Sequence, residues 1–225
     1  MAVRIWDPFP VESLRLKTFD TFQRIQPRVS TTALPVVVVD IDEASLASYG
    51  QWPWPRTVIA RLIEEILRSG AVVLGFDVIF AEPNRTSPGT IARNIKNLPK
   101  DVVAELNKLP SNDRVMANMI RRTRVVLGQA ANPKSTKIDR TGKIILTPVD
   151  EVGGDPRPYL NTFKSLVPNL LILEQAASGR GFLALVPKVD GVVRCSPAVF
   201  AVDKDIRPSL IIEMLRVATG ARPMR

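Results

Sequence analysis

Apolar residues occur along the chain either in short continuous runs or at the three- and four-residue spacing of a helix. The run Val36–Val39 ends in Asp40-Ile41-Asp42 and lacks any alternation, which predicts a strand covered on both faces. Apolar positions then recur every three or four residues from Pro55 to about Ser69, as on one face of a helix. A second apolar run follows at 71–80. This order predicts a βαβ unit, whose two strands are parallel.

The same patterns predict the remaining elements of the chain. Helices are expected at 11–26, near 100–108, at 113–122 and at 208–218, and a third parallel strand at 125–128. The Asp190-Gly191 turn lies between apolar runs at 181–183 and 192–194 and predicts a hairpin. Regions rich in proline or glycine predict irregular insertions near 81–111 and 132–168, the second with one hairpin at 143–147.

These elements predict one domain over residues 1–225. Its fold class is α/β, with a central, mostly parallel sheet flanked by helices, a C-terminal hairpin and a closing helix. The length suits a single large domain. No run of about 18 apolar residues occurs, so the sequence predicts no helix that spans a membrane.

The amino-acid composition excludes several kinds of binding site and catalytic mechanism. The chain has 225 residues, a net charge of +9, no histidine and one cysteine, Cys195. These counts exclude an internal disulfide, zinc sites of the cysteine and histidine kind, and any mechanism with a histidine base. The basic residues are scattered without interleaved aromatic residues, so we predict a solvated basic surface and no specific nucleic-acid partner. No phosphate-binding glycine loop is present, and no cofactor is expected.

Four carboxylates lie near predicted strand ends. Asp40 and Asp42 share one face of the first strand, and Asp77 and Glu82 lie late in and just after the second. Ligands bind at this edge of open parallel sheets, so these residues are candidates for binding a ligand or a hard cation, the metal being unknown. The alternative is structural: Asp42 caps the following helix, and Asp77 pairs with an arginine.

Two further segments carry candidate ligand-binding residues. In Trp52-Pro53-Trp54-Pro55-Arg56, the tryptophans form either a binding wall or a structural corner, and Arg56 could reach the carboxylates. Arg194 follows the Asp190-Gly191 turn and either pairs with a carboxylate such as Asp190 or binds ligand. We predict no catalytic residues.

An enzyme alternative rests on the Asp40-Ile41-Asp42 motif after a strand. It is superficially similar to the nucleophile motif of magnesium-dependent phosphatases of the haloacid-dehalogenase type, with Asp40 as nucleophile. Ala44 stands where that motif needs a hydroxyl or β-branched residue, and no downstream acidic pair is evident.

Taken together, the segments VVVVDIDEASLASYGQWPWPR and AVVLGFDVIF-AEP resemble the second-type cyclase/histidine-kinase-associated sensory extracellular (CHASE) domain. Shorter pieces agree in order, among them Phe19-Asp20, the strand at 125–128, the DGVVR turn and Pro208-Ser209-Leu210. The resemblance covers nearly the whole chain.

This resemblance implies an extracytoplasmic sensory domain of a bacterial membrane receptor, between flanking membrane helices, that regulates a cytoplasmic nucleotide cyclase or protein kinase and is not itself an enzyme. The partners we expect are an unidentified small-molecule or ionic signal, the flanking membrane helices and, in a homodimer, a second copy of the chain. The family resemblance assigns no ligand-binding residues.

Overall fold

The computed structural model describes residues 8–27, 35–132, 145–147 and 149–221. These residues form two compact units. The first comprises the described residues up to Gly50 together with Leu185–Ser196, and the second comprises Gln51–Ala184 and the described residues from Pro197 onward.

The first unit contains two helices, α1 (Phe9–Ile25) and α2 (Glu43–Tyr49). Pro10 lies in the first turn of helix α1. Proline is tolerated there because a backbone N–H in the first turn has no partner within the helix. Helix α1 confirms the helix predicted at 11–26. Helix α2 begins at Asp42, whose carboxylate accepts a hydrogen bond from the Ser45 N–H at 2.8 Å.

The second unit contains the remaining elements. Its helices are α3 (Arg56–Arg68), α4 (Pro88–Asn94), α5 (Lys100–Lys108), α6 (Asn112–Arg121), α7 (Leu171–Glu174) and α8 (Leu210–Thr219), with a 3₁₀ turn at Arg157–Tyr159. Its strands are β1 (Leu74–Phe76), β2 (Val125–Asn132), β3 (Thr162–Phe163), β4 (Ser165–Val167), β5 (Gly179–Leu183), β6 (Val199–Val202) and β7 (Asp205–Pro208). The helices predicted at 100–108, 113–122 and 208–218 are confirmed.

The strands form two mixed sheets. In the first, β2 pairs in parallel with β1 and β5 and antiparallel with β4. In the second, β6 pairs in parallel with β3 and antiparallel with β7. The α/β class is therefore confirmed, but a mostly parallel central sheet is not, because each sheet contains an antiparallel pair.

The core of the second unit lies between helices α3 and α6 and the first sheet. Ile63, Met116, Ile120, Leu127 and Leu173 are completely buried there. The helical residues recur at spacings of three and four, so each helix presents one apolar face. This buried core supports the elements that carry the candidate residues of this unit.

The strand predicted at Val36–Val39 is wrong. These residues have no regular secondary structure, belong to neither sheet and are 53–86% exposed. A strand requires a partner backbone as well as β-favouring side chains, and no described residue forms a ladder with this segment. The strand predicted at 71–80 shortens to Leu74–Phe76, so the described residues do not form the expected βαβ unit.

The predicted hairpin and insertions also need correction. The turn at 190–191 is present, with Gly191 at φ 78°, but the run at 181–183 belongs to β5, which pairs in parallel with β2. The C-terminal hairpin is instead β6–β7, because Asp203 at φ 52° and Lys204 turn the chain there. The region 81–111 is not irregular, since it contains α4 and α5. The hairpin predicted at 143–147 lies partly outside the described residues.

Gly181 permits the close approach of α8 to β5, and this approach gives a first prediction. A Cβ at this position would overlap the backbone of Leu210, with its N only 2.7 Å away. We expect Gly181→Ala to lower the free energy of unfolding by about 1–3 kcal/mol, as overpacking does. Urea denaturation measures it, with Gly154→Ala as the control because a Cβ there meets nothing within 4 Å. Equal stability of the two variants would show that the close approach is absent.

Candidate functional site

The Trp52–Arg56 turn leads directly into helix α3. Trp54 is 5% exposed, Trp52 packs partly buried against the core, and their rings meet edge to face with centroids 5.6 Å apart. The Trp52-Pro53 peptide bond is cis. Pro55 is the N-cap of α3, so Arg56 is the first residue of the helix. The turn therefore fixes the position from which the Arg56 side chain extends.

Arg56 is buried against Asp113 in the first turn of α6. The Arg56 Nε and the Asp113 Oδ1 are 3.5 Å apart, and both side chains are less than 10% exposed. Neither of these two atoms has a hydrogen-bond partner among the described residues, so their contact is electrostatic. The guanidinium also lies 4.5 Å above the centroid of the Phe80 ring.

A loop after β1 is held against the same pair. The Asn84 N–H donates to Asp113 Oδ2 at 3.0 Å, and the Asn84 side chain accepts hydrogen bonds from Thr86 and Asn112. The Ser87 hydroxyl accepts a hydrogen bond from the Asn112 N–H at 3.1 Å. Asp113 therefore positions both the start of α3 and the loop at 82–87.

Burial lowers the pKa of Arg56, although the charge of Asp113 opposes the shift. Removing one partner of such a buried ion pair strongly destabilises the protein, because the other charge then stays buried without an opposite charge. The arrangement commits Arg56 to Asp113, which the sequence did not predict. In the sequence, Asp113 stands only at the start of the predicted helix and within the family resemblance.

The four predicted carboxylates are divided between the two units. Asp40 and Asp42 belong to the first unit, and Asp77 and Glu82 to the second. All four are exposed. Asp42 caps α2, as the structural alternative predicted, and its hydrogen bonds from Ser45 lower its pKa. No arginine pairs with Asp77 among the described residues, so that part of the alternative is not seen.

Arg194 joins helix α1 to the 190–194 turn within the first unit. Its Nε and Nη2 donate to the two Asp20 oxygens at 2.8 and 2.7 Å. Its Nη1 and Nη2 donate to the two Asp190 oxygens at 2.9 and 2.6 Å. The Arg194 side chain is only 7% exposed. Of the two predicted roles, the geometry gives Arg194 the pairing with carboxylates, and we name this cluster the Arg194 clamp.

The clamp shifts the ionisation of its members. Hydrogen bonds from Arg194 hold the pKa of Asp190 at about 2 and lower that of Asp20, while the two carboxylates raise the pKa of Arg194. Both carboxylates remain charged at any physiological pH. Sequence reasoning identified Asp190 as the partner and missed Asp20, which is 174 positions away in the chain.

A second group of charged residues is buried in the second unit, around Glu174. The Glu174 carboxylate accepts hydrogen bonds from the Gln129 side chain at 3.0 and 3.1 Å and from the Asn169 backbone and side chain at 2.9 and 3.0 Å. Arg180 Nε lies 3.3 Å from it. Gln129 in turn accepts a hydrogen bond from Arg207 at 3.2 Å. We name these five residues the Glu174 network.

The Glu174 network connects the two sheets of the second unit. Gln129 is on β2 and Arg180 on β5 of the first sheet, whereas Arg207 is on β7 of the second. Burial lowers the pKa of both arginines. Their Nε atoms have no hydrogen-bond partner among the described residues. The sequence predicted none of these residues as functional, because they come from four separate segments without a shared motif.

Among the described residues we find neither a group of metal-binding side chains nor a membrane-spanning helix. No three aspartate, glutamate or cysteine side chains there are grouped so that they could hold a metal ion. Cys195 is exposed and forms no disulfide. No described helix combines the length and apolar character that a membrane span requires. The ligand-binding roles predicted from the sequence stay predictions; the residues are Asp40, Asp42, Trp52, Trp54, Arg56, Asp77, Glu82 and Arg194.

Comparison with known proteins gives one match. A family model for the CHASE2 domain matches residues 1–224. Neither a curated protein nor a solved structure matches the chain.

The Arg56–Asp113 pair gives a second prediction. We expect Arg56→Met alone and Asp113→Leu alone each to lower the free energy of unfolding by about 3–5 kcal/mol, because each leaves one buried charge unpaired. The double variant should lose less than the sum, since neither charge then remains. A double-mutant cycle in guanidinium chloride measures the interaction. Additive losses would show that the two side chains do not compensate each other.

The Arg194 clamp gives a third prediction, on pH dependence. Folding lowers the pKa of Asp190 and Asp20 below the ordinary 3.8, so the stability they contribute is complete above that value. It should be lost as the pH falls toward 2. Carboxyl carbon chemical shifts measured by NMR should show Asp190 titrating near pH 2.

The control for this titration is Arg194→Gln, in which both carboxylates should titrate near their ordinary pKa. The stability difference between this variant and the unsubstituted chain should narrow as the pH falls through the same window. An Asp190 midpoint near 3.8 in the unsubstituted chain would contradict the clamp.

Proposed function

Because the chain belongs to the CHASE2 domain family, a family of sensory extracellular domains, we propose that it senses a signal for a bacterial transmembrane receptor. In this proposal the domain lies on the extracytoplasmic side of the membrane and regulates a cytoplasmic nucleotide cyclase or protein kinase. The observation that carries the proposal is the family match, which covers residues 1–224.

A sensory domain acts by having two states with different affinities for its signal, because a ligand shifts an equilibrium only by that difference. The Arg194 clamp is suited to separate two such states. Two charge-assisted hydrogen bonds from Arg194 to Asp20 join helix α1 to the 190–194 turn, and two more from Arg194 to Asp190 hold the guanidinium within that turn. Releasing or rotating α1 requires both bonds to Asp20 to break, so the clamp favours one position of the helix.

The exposed carboxylates are the candidates that we retain for contact with the signal. Asp40, Asp77 and Glu82 have exposed side chains, whereas Arg56 and Arg194 already bind carboxylates of the chain. An ionic signal, or a small molecule with a cationic group, has the chemistry to bind such residues. Asp40 and Asp77 belong to different units, so each is tested separately.

The proposal gives a fourth prediction, on receptor output. In the receptor that contains this chain, Arg194→Gln should change the basal output of the cytoplasmic enzyme by about fivefold or more. Losing the clamp changes the equilibrium between the two states, and coupling between sites typically has effects of this size. The matched control is Arg157→Gln, since Arg157 also binds two carboxylates, Glu151 and Asp155, but at the surface of the second unit. Output is measured as cyclic nucleotide formed or phosphate transferred in membranes.

Asp40→Asn and Asp77→Asn, made singly, should alter the response to the signal without changing basal output. If Arg194→Gln and both aspartate variants leave output and response unchanged in folded, membrane-inserted receptor, the sensory proposal is wrong for these residues. A domain that hydrolyses phosphate esters with magnesium and loses this turnover on Asp40→Asn would favour an enzyme instead.

A further inference from the structure

Three exposed arginines are grouped where helix α6 leads into strand β2. Arg121 is the last residue of α6, Arg122 is its C-cap, and Arg124 directly precedes β2. Arg121 donates a hydrogen bond to the Asn118 side chain at 3.0 Å. None of the three arginines forms an ion pair with the carboxylate of a described residue. We name these three residues the arginine cluster.

The arginine cluster lies at the amino end of the first sheet. Leu74, the first residue of β1, pairs with Val125, the first residue of β2. Gly179, the first residue of β5, pairs with Val126. Because both pairings are parallel, the three strands begin at the same level. Short connections join α3 to β1 and α6 to β2, so both helices end at this level as well.

Helix α8 also ends at the amino end of the sheet. A Cβ on Gly181 would meet the backbone of Leu210, the first residue of the helix. A Cβ on Gly179 would meet the side chain of Glu213, further along the helix. The helix therefore runs from the carboxyl end of β5 toward its amino end, and it ends at Thr219, beyond the start of the strand. The C-termini of three helices thus lie at the same end of the sheet as the arginine cluster.

The carboxylates of these three helices do not neutralise the arginine cluster. Each carboxylate of α3, α6 and α8 forms an ion pair with an arginine outside the cluster. The pairs are Arg68 with Glu64 and Glu65, Arg56 with Asp113, and Arg216 with Glu213. The partial negative charge at the end of α6 is only about half a unit charge and does not offset three arginines. The cluster therefore presents positive charge to the solvent and attracts anions.

The carboxyl end of the same sheet carries charges of both signs. The loop that follows β1 lies at this end, because the Asn84 N–H donates to Asp113 in the first turn of α6. Asp77, Glu82 and Arg85 are all exposed there. An anionic surface therefore attracts the amino end of the sheet more strongly than the carboxyl end, which gives the second unit one favoured orientation.

A broad anionic surface fits the arginine cluster better than a single anion or a nucleic acid. Arg121 and Arg122 are adjacent at a helix end, so their side chains leave α6 about 100° apart and do not converge on one small ligand. Proteins that bind nucleic-acid strands combine basic residues with aromatic side chains for stacking, and no aromatic residue occurs at 115–131. Membrane headgroups need neither feature, and each arginine near an anionic membrane strengthens binding by about fivefold.

We propose that the arginine cluster of the second unit contacts the anionic headgroups of a membrane surface. This inference rests on the proposed function, in which membrane helices flank the domain. The amino end of the first sheet, with the end of α8, then faces the membrane. Asp77 and Glu82, two of the candidates for contact with the signal, face away from the membrane, where a dissolved signal reaches them.

Sedimentation of the chain with lipid vesicles tests this contact. Vesicles of phosphatidylglycerol and phosphatidylcholine in equal amounts are compared with vesicles of phosphatidylcholine alone. The salt concentration is about 0.1 M, where screening limits electrostatic contacts to about 10 Å. The unsubstituted chain should bind only the vesicles that contain phosphatidylglycerol. The triple variant Arg121→Gln, Arg122→Gln and Arg124→Gln should bind them about a hundredfold more weakly, since each arginine contributes about fivefold.

The matched control removes three exposed arginines from the other end of the unit. Arg85→Gln, Arg93→Gln and Arg114→Gln lie in the loop after β1, in α4 and in the first turn of α6. The two triple variants have the same net charge, so they differ only in where the charge is lost. The control should bind within about threefold of the unsubstituted chain, because its lost charges lie beyond the screening length from the membrane. Circular dichroism checks that both variants are folded.

Several outcomes would overturn the proposal. If the chain does not bind the phosphatidylglycerol vesicles, or binds phosphatidylcholine vesicles equally well, the contact with anionic headgroups is wrong. Equal losses in the two triple variants would show that net charge, and not the arginine cluster, binds the vesicles. Displacement by glycerol phosphate, but not by sulfate at the same ionic strength, would assign the cluster to a free phosphate compound. Tighter binding to duplex DNA than to vesicles, lost in the same triple variant, would assign it to nucleic acid.

This proposal and the sensory proposal fail in distinguishable ways. Sedimentation measures membrane binding by the chain itself, without any output domain. Receptor output in Arg194→Gln measures the clamp in the first unit and leaves the arginine cluster of the second unit intact.

Discussion

The second unit depends on the compensation of one buried carboxylate, Glu174. A buried charge is stable only when hydrogen bonds and opposite charges replace the water that it loses. Gln129 and Asn169 supply four hydrogen bonds to Glu174, and Arg180 supplies the opposite charge. Asn169 extends the connection further, since its side chain also binds the Gly128 carbonyl and the Phe80 N–H. One carboxylate thus sets the positions of β2, β5 and the segment before α7.

The same requirement explains several other features of both units. Glu213 is completely buried and accepts two hydrogen bonds from Arg216, and Gly179 leaves the space that its carboxylate occupies. Arg56 needs Asp113, and Arg194 needs Asp20 and Asp190. Two arginines that the sequence suggested as ligand-binding groups are therefore committed to partners in the chain. Their geometry provides the scaffold of the second unit and the clamp of the first.

The sequence predicted elements whose signals are local and missed those that depend on distant partners. Helices α1, α3, α6 and α8 were predicted because apolar spacing, capping residues and Gly220 are all encoded within each segment. The strand at Val36–Val39 was not formed, because four valines cannot supply the second backbone that a strand requires. The sequence suggested Asp42 as a helix cap, but the helix that it caps, α2, was not predicted. Asp20 as a partner of Arg194 was not, since nothing in the sequence connects residues so far apart.

Glu174 organises the second unit as a compensated buried charge, and the free energy of unfolding of Glu174→Gln tests this role most directly. The substitution keeps the shape of the side chain and removes the charge opposite Arg180, so guanidinium denaturation should show a loss of about 3–5 kcal/mol. Glu151→Gln removes a carboxylate from the exposed pair with Arg157 and should cost about 1 kcal/mol or less. If the two variants are equally stable, Glu174 does not have this role.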